Sequence, residues 1–336
     1  MKKLALLAAL LVSVGFAQAE VGLFGTMDAG YGSTKAPGAQ TSQFSAVSGG
    51  MTTSFWGIKG GEELGNGRRA VFELSSFINQ NNGATLGGST VNTFARSSFV
   101  GLSDKALGTV TFGRQSNPSF LPTILFNAYG DSGAYSPLWH ATYFGNTGNP
   151  ATQLYNDTAW DNAAVYTSPN VMGATVSVAG SQGNQGNNSG ANVLYSKGAL
   201  GLTAYWQSTK SNSSGSFQNN IFTNGKAAEA TGVGASYDLK VAKVMATWQE
   251  AKDVSLNMKS NTTQVSALIP LGNGNVMVEQ ANSKFVQAAT TKYNEFAVGY
   301  DYRFSKTVDA YATVGRTHVT AMTNGETYGA GIRVRF

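Results

Sequence analysis

The chain has 336 residues, of which 41 are Gly, none is Cys and 12% are charged, with a formal net charge of +5. A usual globular chain carries roughly 7% Gly and ~25% charged residues, so a helical, charge-rich enzyme is a poor match, and a hydrophobic content of 42% excludes disorder. Without Cys there are no disulfides, iron–sulfur clusters or Cys-zinc sites, and two His leave little for a metal centre.

Met1-Lys2-Lys3, the apolar run Leu4 to Phe16 and Ala17-Gln18-Ala19 form a charged head, a hydrophobic stretch and an A-x-A site. This is the layout of a secretory signal peptide, and the run is too short to span a bilayer as a helix. Cleavage after Ala19 leaves residues 20–336 and lowers the formal charge to +3, too weak a balance to suggest nucleic acid.

Beyond residue 19 the dominant signal is period-2 alternation. Leu200, Leu202, Ala204 and Trp206 oppose Gly201, Thr203, Tyr205 and Gln207. Phe296, Val298, Tyr300, Tyr302 and Phe304 oppose Ala297, Gly299, Asp301 and Arg303. In the last ten residues, Tyr328, Ala330, Ile332, Val334 and Phe336 share one face. A soluble sandwich alternates too, but here aromatics sit near the ends of the apolar faces, as girdles at two membrane interfaces would.

The connections also alternate in length. Short turns at Leu64–Gly67, Lys105–Gly108, Ser168–Asn170, Lys197-Gly198, Leu271–Gly274 and Ser305–Thr307 separate long polar stretches. The latter cover 33–50, 81–92, 116–156, 181–190 and 211–228. Strands are expected at 20–32, 51–64, 68–80, 93–103, 107–115, 159–168, 171–181 and 190–197. They continue at 199–210, 230–239, 241–252, 262–270, 274–284, 293–304, 307–318 and 327–336. The expected fold is therefore all-β: a sixteen-stranded antiparallel transmembrane barrel with an aqueous lumen, whose inward face is polar or Gly.

Several segments resemble the Gram-negative general porins of the betaproteobacterial type. They are Val21–Gly30, Trp56–Gly60, Glu62–Gly67, Phe99–Leu102, Thr109–Gln115, Tyr166–Pro169 and Gly331–Phe336, in order along the whole mature chain. The resemblance implies a homotrimer in the cell outer membrane, in contact with lipid and lipopolysaccharide. It implies passive diffusion of ions and small hydrophilic solutes, with no cofactor. It implies a long third loop, here the 116–158 segment, folded into each channel, and a C-terminal Phe, here Phe336, read by the barrel-assembly machinery. Arg114 resembles an Arg that supports the trimer contact.

In that family the constriction sets wall arginines against loop carboxylates, and the transverse field orients solutes and sets ion preference. Position by position, the first wall Arg is replaced by Phe55, the second is kept as Arg96, and the third falls at Ala159 by parity or at Trp160 after a slip of one. From Pro118 to Tyr155 the loop's only carboxylate is Asp131, whereas aromatic side chains are abundant. The expected constriction set is Phe55, Lys59, Glu73, Arg96, Asp131 and Ala159, with Asp28, Asp301 and Arg303 lining the channel; Asp28, Lys59 and Glu73 either tune conduction or brace the wall. Arg333 and Arg335 are expected near the periplasmic rim. The aromatics either pack the loop against the wall or adapt the channel to less polar, aromatic solutes.

An enzyme reading lacks support: there is no G-x-S-x-G or H-E-x-x-H, and His140 and His318 are far apart. His140 is expected to pack or hydrogen-bond. A plugged structural or adhesive barrel is the other alternative, but no plug domain is evident.

Overall fold

Strands in lipid must satisfy every backbone N–H and C=O among themselves, so a sheet that crosses a membrane has to close. The computed structural model describes residues 20–85, 92–144, 158–183, 186–210, 228–253 and 257–336; the expected signal peptide, 1–19, lies outside them. The alternating segments form β1 (Glu20–Lys35), β2 (Gln43–Ser48), β3 (Phe55–Gly65), β4 (Arg68–Phe77), β5 (Ser97–Asp104) and β6 (Gly108–Ser116). Two short helices, α1 (Phe120–Leu125) and α2 (Pro137–Trp139), and a π-helical turn, His140–Phe144, follow. Then come β7 (Ala159–Thr167), β8 (Ala174–Ser181), β9 (Asn188–Lys197), β10 (Leu200–Thr209), β11 (Ala228–Asp238) and β12 (Lys243–Asp253). The chain ends with β13 (Met258–Leu271), β14 (Gly274–Val286), β15 (Thr290–Arg303), β16 (Val308–Val319) and β17 (Gly325–Arg335).

Each strand pairs antiparallel with its neighbours, and β17 returns to β1 in the register Thr26↔Arg335 to Lys35↔Glu326. Phe336 extends this seam: its amide donates to the Gly25 carbonyl (3.1 Å) and its carbonyl accepts from the Gly25 amide (2.9 Å). The first half of β1 pairs with β3 and the second half with β2, so β2 and β3 share one position in a sixteen-stranded closed barrel.

That shared position corrects the expected boundaries. Residues 43–48, expected within a loop, extend the second strand, and residues 49–54 interrupt it. The Gly49-Gly50 pair hides the continuity, although Phe44 stacks on Tyr31 across the outer face (5.9 Å).

Asp28 holds the interruption together. Its carboxylate accepts from the amides of Gly50 (3.2 Å), Met51 (2.8 Å) and Thr52 (2.8 Å), and from the Tyr311 hydroxyl (2.6 Å). Ser54 Oγ accepts from the Asp28 amide (2.9 Å). The side chain faces inward by parity, but the residue is 0% exposed. Of its two expected roles Asp28 therefore has the bracing one and does not line the channel, because the broken strand needs an acceptor for its freed N–H groups.

Inward glycines make room for this brace. A Cβ at Gly331 would lie 2.4 Å from the Tyr311 hydroxyl, and one at Gly329 would lie 2.1 Å from that of Tyr135. Part of the Gly excess thus follows from tyrosines laid flat against the inner wall. Outside, the same strands present Val100, Leu102, Phe112, Val178, Phe296 and Ile332 to lipid.

A second irregularity lies in β7. Gly113 pairs with Ala163 but Gln115 pairs with Trp160, so Asp161 and Asn162 bulge opposite Arg114, with Asn162 at φ 52°. Beyond the bulge the parity of β7 shifts by one residue.

Replacing Asp28 with Ala leaves two buried amides, the half-buried Thr52 amide and a tyrosine hydroxyl without their acceptor. At roughly 1–3 kcal/mol for a buried unsatisfied group, the barrel should lose about 3 kcal/mol or more. Urea unfolding in detergent, followed by the heat-dependent mobility shift on gels, checks this, with Tyr311→Phe giving the smaller part of the loss.

Candidate channel constriction

Inward parity on β1, β3, β4 and β5 brings Phe24, Phe55, Lys59, Glu73 and Phe99 onto one wall, with Lys59 directly across the strands from Glu73. Arg96, just before β5, reaches back over this wall. Its guanidinium pairs with Glu73 (3.1 Å), donates to Ser75 Oγ (3.2 Å) and lies 3.8 Å from the Phe55 ring centre. Phe55 meets Phe24 edge-on at 5.8 Å, and Lys59 Nζ sits 4.6 Å above the Phe24 ring. The one wall arginine of this set is thus held by a carboxylate on one side and a ring face on the other.

Asp131 accepts from Thr52 Oγ1 (3.2 Å), and the same hydroxyl accepts from Arg333 (2.8 Å). Arg96 and Arg333 both act electrostatically on Asp131, but burial is the larger influence and raises its carboxyl above the ordinary range. Arg333 also pairs with Asp309 (3.0 Å) and Asp301 (3.3 Å), and Arg335 pairs with Asp309 (2.5 Å).

Arg333 lines a cleft at the short-turn end, in keeping with a place near the rim, but it is nearly buried and links β15, β16 and β17 to the broken strand and, through Thr52, to the loop. Two inward carboxylates, Asp301 and Asp309, across adjacent strands from it were the available signal. Arg303 is exposed in a cleft of about 700 Å³ at the short-turn end, shared with Asp301, Lys306 and Arg335.

Ala159 does not take the third wall position. The bulge turns Trp160 inward beside Gln115, where it is 1% exposed and packs on Ala163 and Ala179. The bulge is invisible to strict alternation, which is why parity pointed to Ala159. No Arg stands at either position.

Arg114 faces outward by parity, yet it is buried. Its Nε donates to the Ala95 carbonyl (2.5 Å) and its terminal nitrogen pairs with Asp161 (2.7 Å), so it locks the segment before β5 to the bulge.

The described part of the long segment after β6 is tied to inward side chains of the opposite wall. Glu279 accepts from the Leu138 amide (2.8 Å) and Ser136 Oγ (3.2 Å). Tyr129 bonds Thr313 (2.9 Å), and the Ser119 amide donates to Gln207 (3.1 Å). Tyr129 and Tyr135 pack with Met245, Met277 and Tyr311, while Trp139 and Tyr143 pack with Tyr205 and Met258. Leu121 and Leu125, by contrast, stay exposed. Residues 145–157 and the Phe144 side chain lie outside the described residues.

His140 completes the tether. Nδ1 lies 2.9 Å from the Glu295 carboxylate and Nε2 lies 3.0 Å from the Gly133 carbonyl. Both neighbours are acceptors, so the ring donates from both nitrogens and is an imidazolium. Burial is the largest single influence and works against this charge, but Glu295, the Gly133 carbonyl and Glu279 together outweigh it and the pKa is raised. Sequence reasoning missed Glu279 and Glu295 as anchors; carboxylates at inward positions of otherwise small or apolar strands were the sign.

Below Phe55 and Glu73 the wall opens into a cleft of about 830 Å³, lined by Lys59, Val71, Glu73, Phe99, Gln115 and Val165 among others. An apolar exterior, a closed sheet and a polar lumen define a transmembrane channel barrel. The chain belongs to the Gram-negative porin family, whose pattern matches residues 5–321. It is 27% identical to an outer membrane porin of Bordetella pertussis over the full length of both chains. It is 26% identical to outer membrane porin protein 32 of Delftia acidovorans, over 94% of this chain and 89% of that one. Among solved structures it is similar to an anion-selective porin from Comamonas acidovorans (TM-score 0.75, 22% identity, 95% of this chain and all of the other). It is also similar to the trimer form of OmpT, an outer membrane protein of Vibrio cholerae (TM-score 0.68, 15% identity, 95% and 99% covered). The protein is an outer-membrane channel for passive diffusion, and its family and relatives point to a channel rather than an enzyme.

Two outcomes follow from these contacts. Glu73→Gln removes the partner of Arg96 and should move the reversal potential in a salt gradient toward anions. For His140, a raised folded pKa means that the tether contributes fully below the ordinary value of about 6.5 and is lost as pH rises through the raised value. Protease cleavage within 117–143 should accelerate on that alkaline side, and His140→Gln should abolish the pH dependence.

Proposed function

We propose that this porin has a constriction of weakened transverse field and apolar lining, which favours small solutes carrying an aromatic or other apolar face. The observation that carries the reading is Arg96: its charge is balanced by Glu73 and its face is covered by Phe55. A field across a narrow pore needs separated charges, and a close ion pair cancels most of its own field beyond a few ångströms. The wall opposite the tethered loop supports the second half of the reading, because Phe24, Phe55, Val71 and Phe99 face the lumen half-exposed. The loop aromatics are largely taken up in packing, so the apolar surface offered to solutes is that of the wall, with Leu121 and Leu125 from the loop. Each partly covered apolar face could contribute on the order of 1 kcal/mol at ~25 cal/mol per Å².

In the same reading the loop from 116 to 158 narrows the channel, residues 1–19 are removed on export, and Phe336 serves the assembly machinery. The functional unit is a homotrimer. The outer face of β1, β2, β16 and β17 supports it, with Ala29, Ala46, Ala310, Ala312 and Ala330 lining a broad depression beside Tyr31 and Phe44. Arg114 would serve the trimer indirectly, by fixing the segment before β5. Outer-membrane lipid and lipopolysaccharide surround the assembly.

Proteoliposome swelling tests the constriction. Wild-type barrels should admit benzoate faster than an aliphatic carboxylate of similar size, and Phe55→Arg should reverse that order and speed both anions. Equal rates for all solutes in both proteins would contradict the proposal, and conductance steps that do not come in threes would contradict the trimer.

A further inference from the structure

Between the constriction and the short turns, the cleft of about 830 Å³ has an apolar floor and a polar edge. Val71, Phe99 and Val165 form the floor, each half-exposed. Lys59 stands at the constriction side, and Thr109 and Thr167 face each other across the strands at the turn side. Lys59 and Phe99 lie directly across the strands from Glu73, one on either side. At a strand spacing of about 4.8 Å, their Cα atoms are about 10 Å apart.

The polar groups of this cleft are not equally committed. Glu73 accepts from Arg96 (3.1 Å) and from Ser75 Oγ (3.1 Å). Arg69 lies beside Glu20 (3.4 Å) and Glu63 (3.7 Å). Thr111 and Gln115, also in the lining, satisfy each other. Lys59 differs: it is exposed, and among the described residues no carboxylate lies within ion-pair distance of its ammonium group. The Phe24 ring, 4.6 Å away, holds it instead. A ring face positions an ammonium group without neutralising it. The cleft therefore sets one uncompensated cation beside an apolar floor.

We propose that this cleft is a binding subsite for a monocarboxylate carrying one aromatic ring, with the carboxylate on Lys59 and the ring on Val71, Phe99 and Val165. The inference rests on the apolar-wall half of the reading proposed above and goes a step further: the solute pauses on the wall, so its flux saturates. One uncompensated cation suits one negative charge. A floor of one phenylalanine and two valines suits a ring, which buries a face at little cost in chain entropy. A span of about 10 Å lets the carboxylate join the ring directly or through one or two carbons. A second carboxylate would have to lie unpaired over the apolar floor, which is unfavourable. An acid of two or three carbons would reach Lys59 but not the floor.

The test is the ion current through the channel in a planar bilayer, in chloride, as benzoate is added. Bound benzoate obstructs the cleft, so the current should fall to a plateau, with excess noise from binding and release. Benzylamine carries the ring with the opposite charge and acetate carries the charge without the ring, so neither should give a plateau. Lys59→Gln should raise the half-saturating benzoate concentration about fivefold, the scale of one partly exposed ion pair, and Lys59→Arg should restore it. Phe99→Ser should raise it about as much by removing the aromatic face. A current that varies linearly with benzoate in the wild type, an unchanged half-saturation in Lys59→Gln, or an equal plateau with acetate would overturn the proposal. Faster swelling with benzoate than with an aliphatic carboxylate, but no saturation of the current, would overturn the cleft and leave the constriction reading standing. Saturation alongside equal swelling rates would uphold the cleft and place the fault in the constriction reading.

Discussion

Closure of the sheet is the constraint on which the rest of the molecule depends. In lipid no backbone group can turn to water, so β1 must find β17 and every strand between them must keep its ladder intact. The seam is carried to the last residue, where Phe336 and Gly25 exchange two backbone hydrogen bonds. The one conspicuous gap, at residues 49–54, would leave donors unpaired near the middle of the wall. Asp28 fills it with a carboxylate, which is the strongest acceptor a side chain offers to several N–H groups at once.

That repair shapes the lumen. The loop of the broken strand carries Thr52, whose amide is held by Asp28 and whose hydroxyl joins Arg333 to Asp131. A backbone defect, a wall arginine and the loop carboxylate are thereby one connected structure. On the far wall Glu279 and Glu295 hold the loop through Leu138, Ser136 and His140. The described loop residues pack aromatic side chains against that far wall, while the wall of β1, β3, β4 and β5 carries Phe24, Phe55 and Phe99 with Arg96 and Glu73 paired on it.

Much of this was legible in the residues. Alternation located all sixteen barrel positions, and it placed Phe55, Lys59 and Glu73 on the inner face, because a one-residue error would have turned Trp56 and Ile58 inward. What alternation could not see were its own interruptions. A bulge at Asp161-Asn162 exchanged Ala159 for Trp160, and a break after Ser48 disguised a strand as a loop. Neither leaves a hydrophobic signature; both depend on φ values and on partners distant in sequence. The full burial of Asp28 and the reach of Arg333 to Thr52 were hidden for a related reason. Parity says which way a side chain points, but whether it meets water or another strand's polar groups depends on the neighbouring strands and the loop behind them.

The central claim is the proposal that the wall arginine of the constriction, Arg96, is neutralised by Glu73. The most direct measurement is the reversal potential of the wild-type channel in a planar bilayer under a salt gradient at low ionic strength, where screening is least. Paired charges predict a potential close to zero, with little preference for anion or cation. A large potential of anion-selective sign would show that Arg96 acts as an open charge despite Glu73 and Phe55, and would contradict the account.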